Sequence, residues 1–417
     1  MRRLPLADQF PYEFYPPKVH RLWLALGYPA IRRKLRREQL VMSVEIQGLE
    51  FLKPLPGRGD GVLIAPNHSD NADGGVMFEV ARRAGRPFCY MAAYQLFDGL
   101  NRFILPRLGA FPVDREGADL KAFKAGVELL SAGAHPLVVF PEGEVYHTAD
   151  RLTPLREGAA ALAVTAARRI SETGKSIWIV PVAIKYRFLD GHDPLPALLR
   201  LMDVLESRFT WWPQTHRDLV DRIYFYAEGM LALKELEYGA GVGRGLVKER
   251  IARLRSLILD RIENQRLGKR SAEPVPVRVK VLRRTCLDAL TSPQTTPEDA
   301  HSLRRDLNDL FVVVQLYSYP GDYVNECPTM ERAAETLMKF EQDIFGVTDL
   351  IRPRTPRRAL VRLGEPINVT AHLKSAERPR VATATLTTDL EHRMQALLDA
   401  IGPGRPIEVR RDLSRPS

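Results

Sequence analysis

GVLIAPNHSDNAD, residues 61–73, decides how this chain is read. Val62, Leu63, Ile64 and Ala65 form an apolar run too short for a helix and flanked by turn residues, the pattern of a buried strand. Pro66 ends it, and Asn67, His68, Asp70, Asn71 and Asp73 follow in one cluster. A strand that stops and presents a histidine beside carboxylates is where α/β proteins place chemistry. A carboxylate bonded to one imidazole nitrogen fixes the tautomer and leaves the other nitrogen to take a proton from a hydroxyl. Asp70 and Asp73 are both in range of His68, and spacing does not choose between them. The plain alternative is a loop histidine bonded to backbone.

Outward from this stretch, strands and helices alternate. Val41–Ile46 is a first strand; Gly74–Ala84 is a helix; Pro87–Ala92 is a strand; Gly109–Arg115 (GAFPVDR) is a turn and short extended segment. Leu120–Ser131 is a helix, and Leu137–Phe140 is a strand that runs straight into Pro141-Glu142-Gly143-Glu144. Arg156–Arg168 is an alanine-rich helix and Ile177–Ile184 a β-branched strand. This alternation predicts an α/β domain with a mostly parallel central sheet flanked by helices.

After Phe188 the pattern becomes helical. Val247, Ile251, Leu254, Ile258 and Ile262 keep helical spacing with Arg250, Arg253, Arg255 and Arg261 between them, and Thr296-Pro297-Glu298-Asp299 is a helix start. Strand character returns at Ala359–Leu363, followed by a helix over 386–400. The expected organisation is a basic amphipathic segment (1–40), the first part of the α/β domain (41–189), a mainly helical insertion (190–355), the second part of the α/β domain (356–402) and a disordered tail (403–417).

The 417 residues carry a formal charge of +10, which points to an anionic partner: nucleic acid, a membrane surface or a phosphorylated substrate. The 3 cysteines, Cys89, Cys286 and Cys327, have no paired spacing, against a disulfide framework or zinc site and in keeping with a reducing compartment. The apolar run Leu22–Ile31 is too short to span a bilayer and contains Pro29, so membrane contact is expected to be peripheral. Lys18–Glu38 reads as a helix ending in Arg32, Arg33, Lys34, Arg36 and Arg37. It is either a surface helix or an interfacial anchor on anionic lipid. The aromatic stretch Phe209–Pro213 is core or a membrane-interface belt.

Four segments occur in order: His68 with Asp73 five residues on, Gly109-Ala-Phe111 leading to Arg115, Phe140-Pro-Glu-Gly143, and the apolar strand carrying Pro181. This series resembles the glycerolipid acyltransferase superfamily, that of glycerol-3-phosphate and lysophosphatidate acyltransferases. VEIQGLE before the first motif and VRLGEPINV near the end share the likeness, which covers roughly 41–188 and 357–400. The resemblance implies an O-acyltransferase of phospholipid biosynthesis at the inner, cytoplasmic face of a membrane. Its acyl donor is a thioester, acyl-CoA or acyl-carrier protein, its acceptor a lysolipid such as lysophosphatidate, and it needs no cofactor and no metal. It makes His68 the general base and Asp73 its orienting partner. It places Gly109, Phe111, Arg115, Glu142 and Gly143 at the substrates, Arg115 on a phosphate, and makes Pro181 part of the site wall.

The chain departs from the family after Phe-Pro-Glu-Gly. Glu144 and Val145 stand where lysophosphatidate acyltransferases usually carry Thr and Arg, and that Arg helps hold the acceptor phosphate. Arg156, at the start of the following helix, is a candidate replacement; the alternative is an acceptor that is not a phosphorylated glycerol, such as another lysolipid or an amino-acid lipid. The insertion is a second departure, expected to form a helical cap that guides acyl chains or docks on membrane. Competing motifs fail. No Gly-x-Ser-x-Gly elbow is present, and Gly239–Gly245 has no Gly-Lys-Ser/Thr. No nucleic-acid module is recognisable, so nucleic acid is not an expected partner. A rival of another class is a non-catalytic membrane-binding protein on the same fold.

Overall fold

The computed structural model describes residues 12–52, 59–114, 119–345, 352–375 and 378–408. In chain order, α1 (Arg21–Arg37), β1 (Val41–Gln47), β2 (Gly61–Pro66), α2 (Asp73–Arg83), β3 (Cys89–Ala93), α3 (Asn101–Arg107), β4 (Ala110–Val113), α4 (Leu120–Ala132), β5 (Leu137–Val138), α5 (Gly158–Arg169) and β6 (Ile177–Phe188) come first. Seven helices follow: α6 (Leu195–Arg208), α7 (Leu219–Glu237), α8 (Val247–Leu267), α9 (Val275–Leu290), α10 (Pro297–Tyr317), α11 (Tyr323–Glu326) and α12 (Met330–Phe345). The chain then returns with β7 (Arg357–Leu363), β8 (Ile367–Asn368), α13 (Val369–Ser375) and α14 (Pro379–Ile401). Contacts divide it into two compact units. Of the described residues, one contains 12–194 and 352–405; the other contains 195–345 and 406–408.

The first unit is an α/β sandwich. Its sheet of 8 strands runs β1-β7-β6-β2-β5-β3-β4, with β8 beside β6. It is mostly parallel; β6 meets β7 and β8 antiparallel. Every residue of β2 is buried, as its unbroken apolar run requires of a strand covered on both faces. Leu63 belongs to the cluster that takes in α4, α5 and α14, whereas Val62 and Ile64 belong to the cluster of α2. In α5 five alanines are buried, and their small side chains let the helix lie close to α4 and the sheet. Asp119 caps α4 by accepting from the Ala122 N–H, and Gly133 ends it at φ 66°.

Two strand positions bear on the site. Pro181 sits centrally in β6, where a missing N–H would ordinarily cost a ladder bond. It falls in the gap between the β8 pairing at Trp178–Ile179 and the β7 pairing that begins at Val182. β2 and β5 are adjacent and parallel, yet the chain leaves β2 through α2 toward β3 and leaves β5 through α5 toward β6. Connections that depart in opposite directions open a crevice at the carboxyl ends of such strands. The turns after β2 and after β5 therefore meet there.

The second unit is helical. The arginines that lie between the apolar positions of α8 are largely spent within the unit. Arg250 and Arg253 share Glu235, Arg261 pairs with Asp309, and Arg255 lies 5.3 Å over the Tyr317 ring. Arg222 is buried against Glu206 at 2.5 Å. Of the aromatic stretch, Phe209 and Trp211 pack on Tyr226, whereas Trp212 is 85% exposed. Part of the expected tail is engaged: Arg405 donates to the His192 carbonyl, and Pro406 bridges to Thr329. Residues 409–417 lie outside the described residues.

Candidate active site

Asn67 is the first residue past β2, and its side chain prolongs the ladder that the strand has just left. Nδ2 donates to the Ile184 carbonyl at 3.1 Å, and Oδ1 accepts from the Ile184 N–H at 2.6 Å. This fixes the backbone just before His68. From there the chain folds into the first turn of α2, where the Asp73 N–H donates to the Asp70 carbonyl at 3.1 Å.

That turn brings Asp73 back to the histidine. His68 Nδ1 lies 3.0 Å from Asp73 Oδ2, and the imidazole stacks on Phe140 with centroids 4.1 Å apart. The geometry calls for the proton on Nδ1, leaving Nε2 as the nitrogen that Asp73 does not engage. The imidazole side chain is 21% exposed and the Asp73 side chain 0%. Asp73 Oδ2 also accepts from the Asp70 N–H at 2.9 Å, and Oδ1 accepts from Tyr186 Oη at 2.6 Å. Burial pushes the Asp73 carboxyl up, while His68 and Tyr186 pull it down.

Asp70, the other candidate partner of His68, is engaged elsewhere. Arg357 grips it with both Nη atoms, at 2.7 and 3.0 Å. Burial alone would raise the Asp70 carboxyl; Arg357 outweighs it and lowers the group below its ordinary value. Arg357 itself is raised despite burial, through Asp70. The choice that spacing left open falls to Asp73.

The turn after β5 supplies Glu142, which is 3% exposed. Its Oε1 accepts from the His68 N–H at 2.7 Å, and its Oε2 accepts from the Thr153 N–H at 3.1 Å. Glu142 thus ties the histidine turn to the following loop. Burial pushes its carboxyl up to about 8, and the two N–H donors work against that rise. Gly143 has φ 78°, and a Cβ there would stand 2.7 Å from Arg156 Nε. Arg156, expected at a helix start, precedes α5; its N–H donates to the Pro141 carbonyl at 2.9 Å. The loop is clamped from α14, where Gln395 accepts from the Leu152 N–H and Glu391 from the Leu155 N–H.

His68, Asp73, Glu142, Gly143 and Arg156 are thus linked around one crevice. Gly109 and Phe111 are placed differently from expectation. Phe111 is 0% exposed, its ring against Phe14, so it presents no surface to a ligand and serves the core. Gly109, at φ 92°, makes the tight approach to the Phe88 carbonyl that starts β4. Arg115 lies outside the described residues. Glu144 and Val145 are half-buried on the loop.

Sequence reasoning missed Tyr186 and Arg357. One signal was available. Arg357 is in phase with the buried Ala359, Val361 and Leu363 of β7, the position of a cation that needs an interior partner. Among the described residues, no group of three His, Cys, Asp or Glu is arranged to hold a metal ion, and no helix is long and apolar enough to cross a membrane.

No curated protein matches the chain. The family model described as Acyltransferase matches residues 43–185, a span that starts in β1, ends in β6 and contains His68, Asp73, Glu142, Gly143 and Arg156. Those residues form a domain of the glycerolipid acyltransferase family.

Proposed function

We propose that this acyltransferase moves a fatty acyl group from acyl-CoA or acyl-carrier protein to a hydroxyl of a lysophosphatidate-like glycerolipid, at the cytoplasmic face of a membrane, in phospholipid biosynthesis. The observation that carries the chemistry is the 3.0 Å contact between His68 Nδ1 and Asp73, which frees Nε2 for an acceptor hydroxyl. Nε2 takes the hydroxyl proton as the oxygen attacks the thioester carbonyl carbon. The carbon–sulfur bond then breaks, and the thiolate leaves with the proton from the imidazolium. Because a thiol titrates near about 8.5, the leaving group needs little acid assistance. Asp73 balances the imidazolium charge in transit.

Arg156 supports a phosphate-bearing substrate. Its guanidinium lies against Gly143, within the same turn as Glu142, and an arginine fork suits phosphate oxygens. Arg115 is proposed to bind a second phosphate. A specific observation favours a second reading of the acceptor: Glu144, next to Gly143, puts an acid where a small hydroxyl is usual, and Val145 stands where lysophosphatidate would call for a cation. A lysolipid without a terminal phosphate, or an amino-acid lipid, fits that charge better.

Peripheral membrane contact is supported by α1. Leu22 and Leu26 are 62% and 66% exposed one turn apart, and Arg32, Arg33, Arg36 and Arg37 are exposed at the other end. Thiol release from acyl-CoA with a panel of acceptors, using wild type and His68→Ala, tests the reaction. Acceptor-dependent release should disappear in the variant; turnover equal to wild type would remove His68 as base. Flotation with anionic liposomes, with and without residues 1–38, tests the membrane contact.

A further inference from the structure

The carboxylate that orients His68 is itself held by side chains from β6 and β7. Tyr186, on β6, donates from Oη to Asp73 Oδ1 at 2.6 Å. Tyr186 stands opposite Ala359 of β7, so Arg357, two residues away, is its diagonal neighbour on the same sheet face. The Arg357 guanidinium lies 4.2 Å from the centroid of the Tyr186 ring and binds Asp70 through both Nη atoms. The Asp70 N–H closes the ring by donating to Asp73 Oδ2 at 2.9 Å. All four residues are buried.

We propose that Tyr186 is a positioning residue for acyl transfer, acting on His68 through Asp73, and that Arg357 holds the Tyr186 ring and Asp70 in place for that purpose. The inference rests on the function proposed above.

Two features separate this role from simple packing. The Tyr186 hydroxyl occupies the one oxygen of Asp73 that neither His68 nor the Asp70 N–H uses. That bond fixes the carboxylate plane and hence the direction of the imidazole. It also draws charge from the carboxylate that must balance the imidazolium. Burial and the neighbouring Asp73 raise the Tyr186 hydroxyl well above its ordinary range, so it remains a donor at every working pH. Beyond the cluster and His68, the charged and titratable groups that act on it are Glu142, on Asp73, and His147, on Asp70.

Tyr186→Phe keeps the ring under Arg357 and removes only the O–H. The His68–Asp73 pair then binds its extra proton more tightly, whichever member carries it, because the carboxylate has lost a donor. The base must be free of that proton to act. The acid limb of the kcat profile should therefore move up by about one pH unit, with the KM for the acyl donor unchanged. Replacing Tyr186 by 3-fluorotyrosine, a stronger donor, should move the limb the other way, and this variant decides the matter if Tyr186→Phe fails to fold.

NMR titration of the His68 ring, assigned with His68→Gln, reads the same displacement without turnover. A wild-type protein that cleaves no thioester would defeat the proposed function, and the ring titration would still report on Tyr186. A rate reduced equally at every pH, with an unmoved limb and an unmoved ring titration, would overturn the positioning role.

Discussion

The Asp70 carboxylate is held by both Nη atoms of Arg357, at 2.7 and 3.0 Å, across a separation of 287 residues. This pair makes Asp70 a structural acid and leaves Asp73 as the partner of His68. Asp70→Asn removes the charge that balances a buried guanidinium and should cost on the order of 3 kcal/mol of stability. Asp73→Asn should instead lower kcat strongly, because an amide can present the wrong hydrogen to Nδ1. Thermal melts and turnover of the two variants check the division; a heavier kcat loss in folded Asp70→Asn than in Asp73→Asn would reverse the assignment.

His68→Ala should lower kcat by about 10²–10⁴-fold, the usual contribution of a positioned general base. The ring is partly exposed, and its backbone N–H to Glu142 survives the change, so the melting temperature should stay close to wild type.

Glu142 sets a pH dependence of stability. Its carboxyl is raised from an ordinary 4.5 to about 8 by burial. Its contribution is fully present below 4.5 and is lost as pH rises through about 8, because the unfolded chain ionises first. Glu142→Gln does not titrate, so its melting temperature should vary less than that of wild type between pH 5 and pH 8. Parallel curves for the two proteins would show that Glu142 is not the source.

Gly143→Ala places a Cβ in a left-handed backbone, 2.7 Å from Arg156 Nε. The backbone cost is roughly 1–2 kcal/mol. The displaced guanidinium should raise the KM for the phosphorylated substrate. Arg156→Ala should reproduce the KM change without the backbone strain; an unchanged KM in both would take Arg156 out of the binding site.

In the helical unit, Glu206→Ala should destabilise the protein, by less than the roughly 3–5 kcal/mol of a fully orphaned buried charge, because Arg222 is 2% exposed but keeps Asp203 at 2.8 Å. Replacing both by apolar residues of similar volume should recover much of that loss. Melting of both variants checks the pair.

The elements that local pattern could announce were legible. β2 was visible as an apolar run between turn residues, α4 as a helical apolar stripe, and α10 by the Thr296 cap, whose hydroxyl accepts from the Asp299 N–H. α3 was not anticipated: it has 7 residues, contains Pro106 and carries no periodic signal. The His68–Asp73 pair was readable because both sit in one turn. Tyr186 and Arg357 reach that pair from strands far along the chain, and no local spacing encodes such a meeting. Arg357 also sits among Arg352, Arg354 and Arg358, where it resembles one more surface cation. Motif position says nothing about which face of β4 a ring occupies, and the Phe111 ring lies in the core.

The place of β7 between β1 and β6 has a consequence for synthesis. During translation, β1 is made early, but among the described strands its only hydrogen-bonded neighbour is a segment that emerges after the whole helical unit. Until then β6 shows an open edge, and Asp70 lacks the cation that it is built to meet. A nascent chain ending at residue 188 holds the His68–Asp73 pair, Glu142 and Tyr186 but lacks the Arg357 clamp on Asp70 and the α14 clamp on the loop after β5. Completion of the sheet around Asp70 is thereby delayed until β7 has left the ribosome.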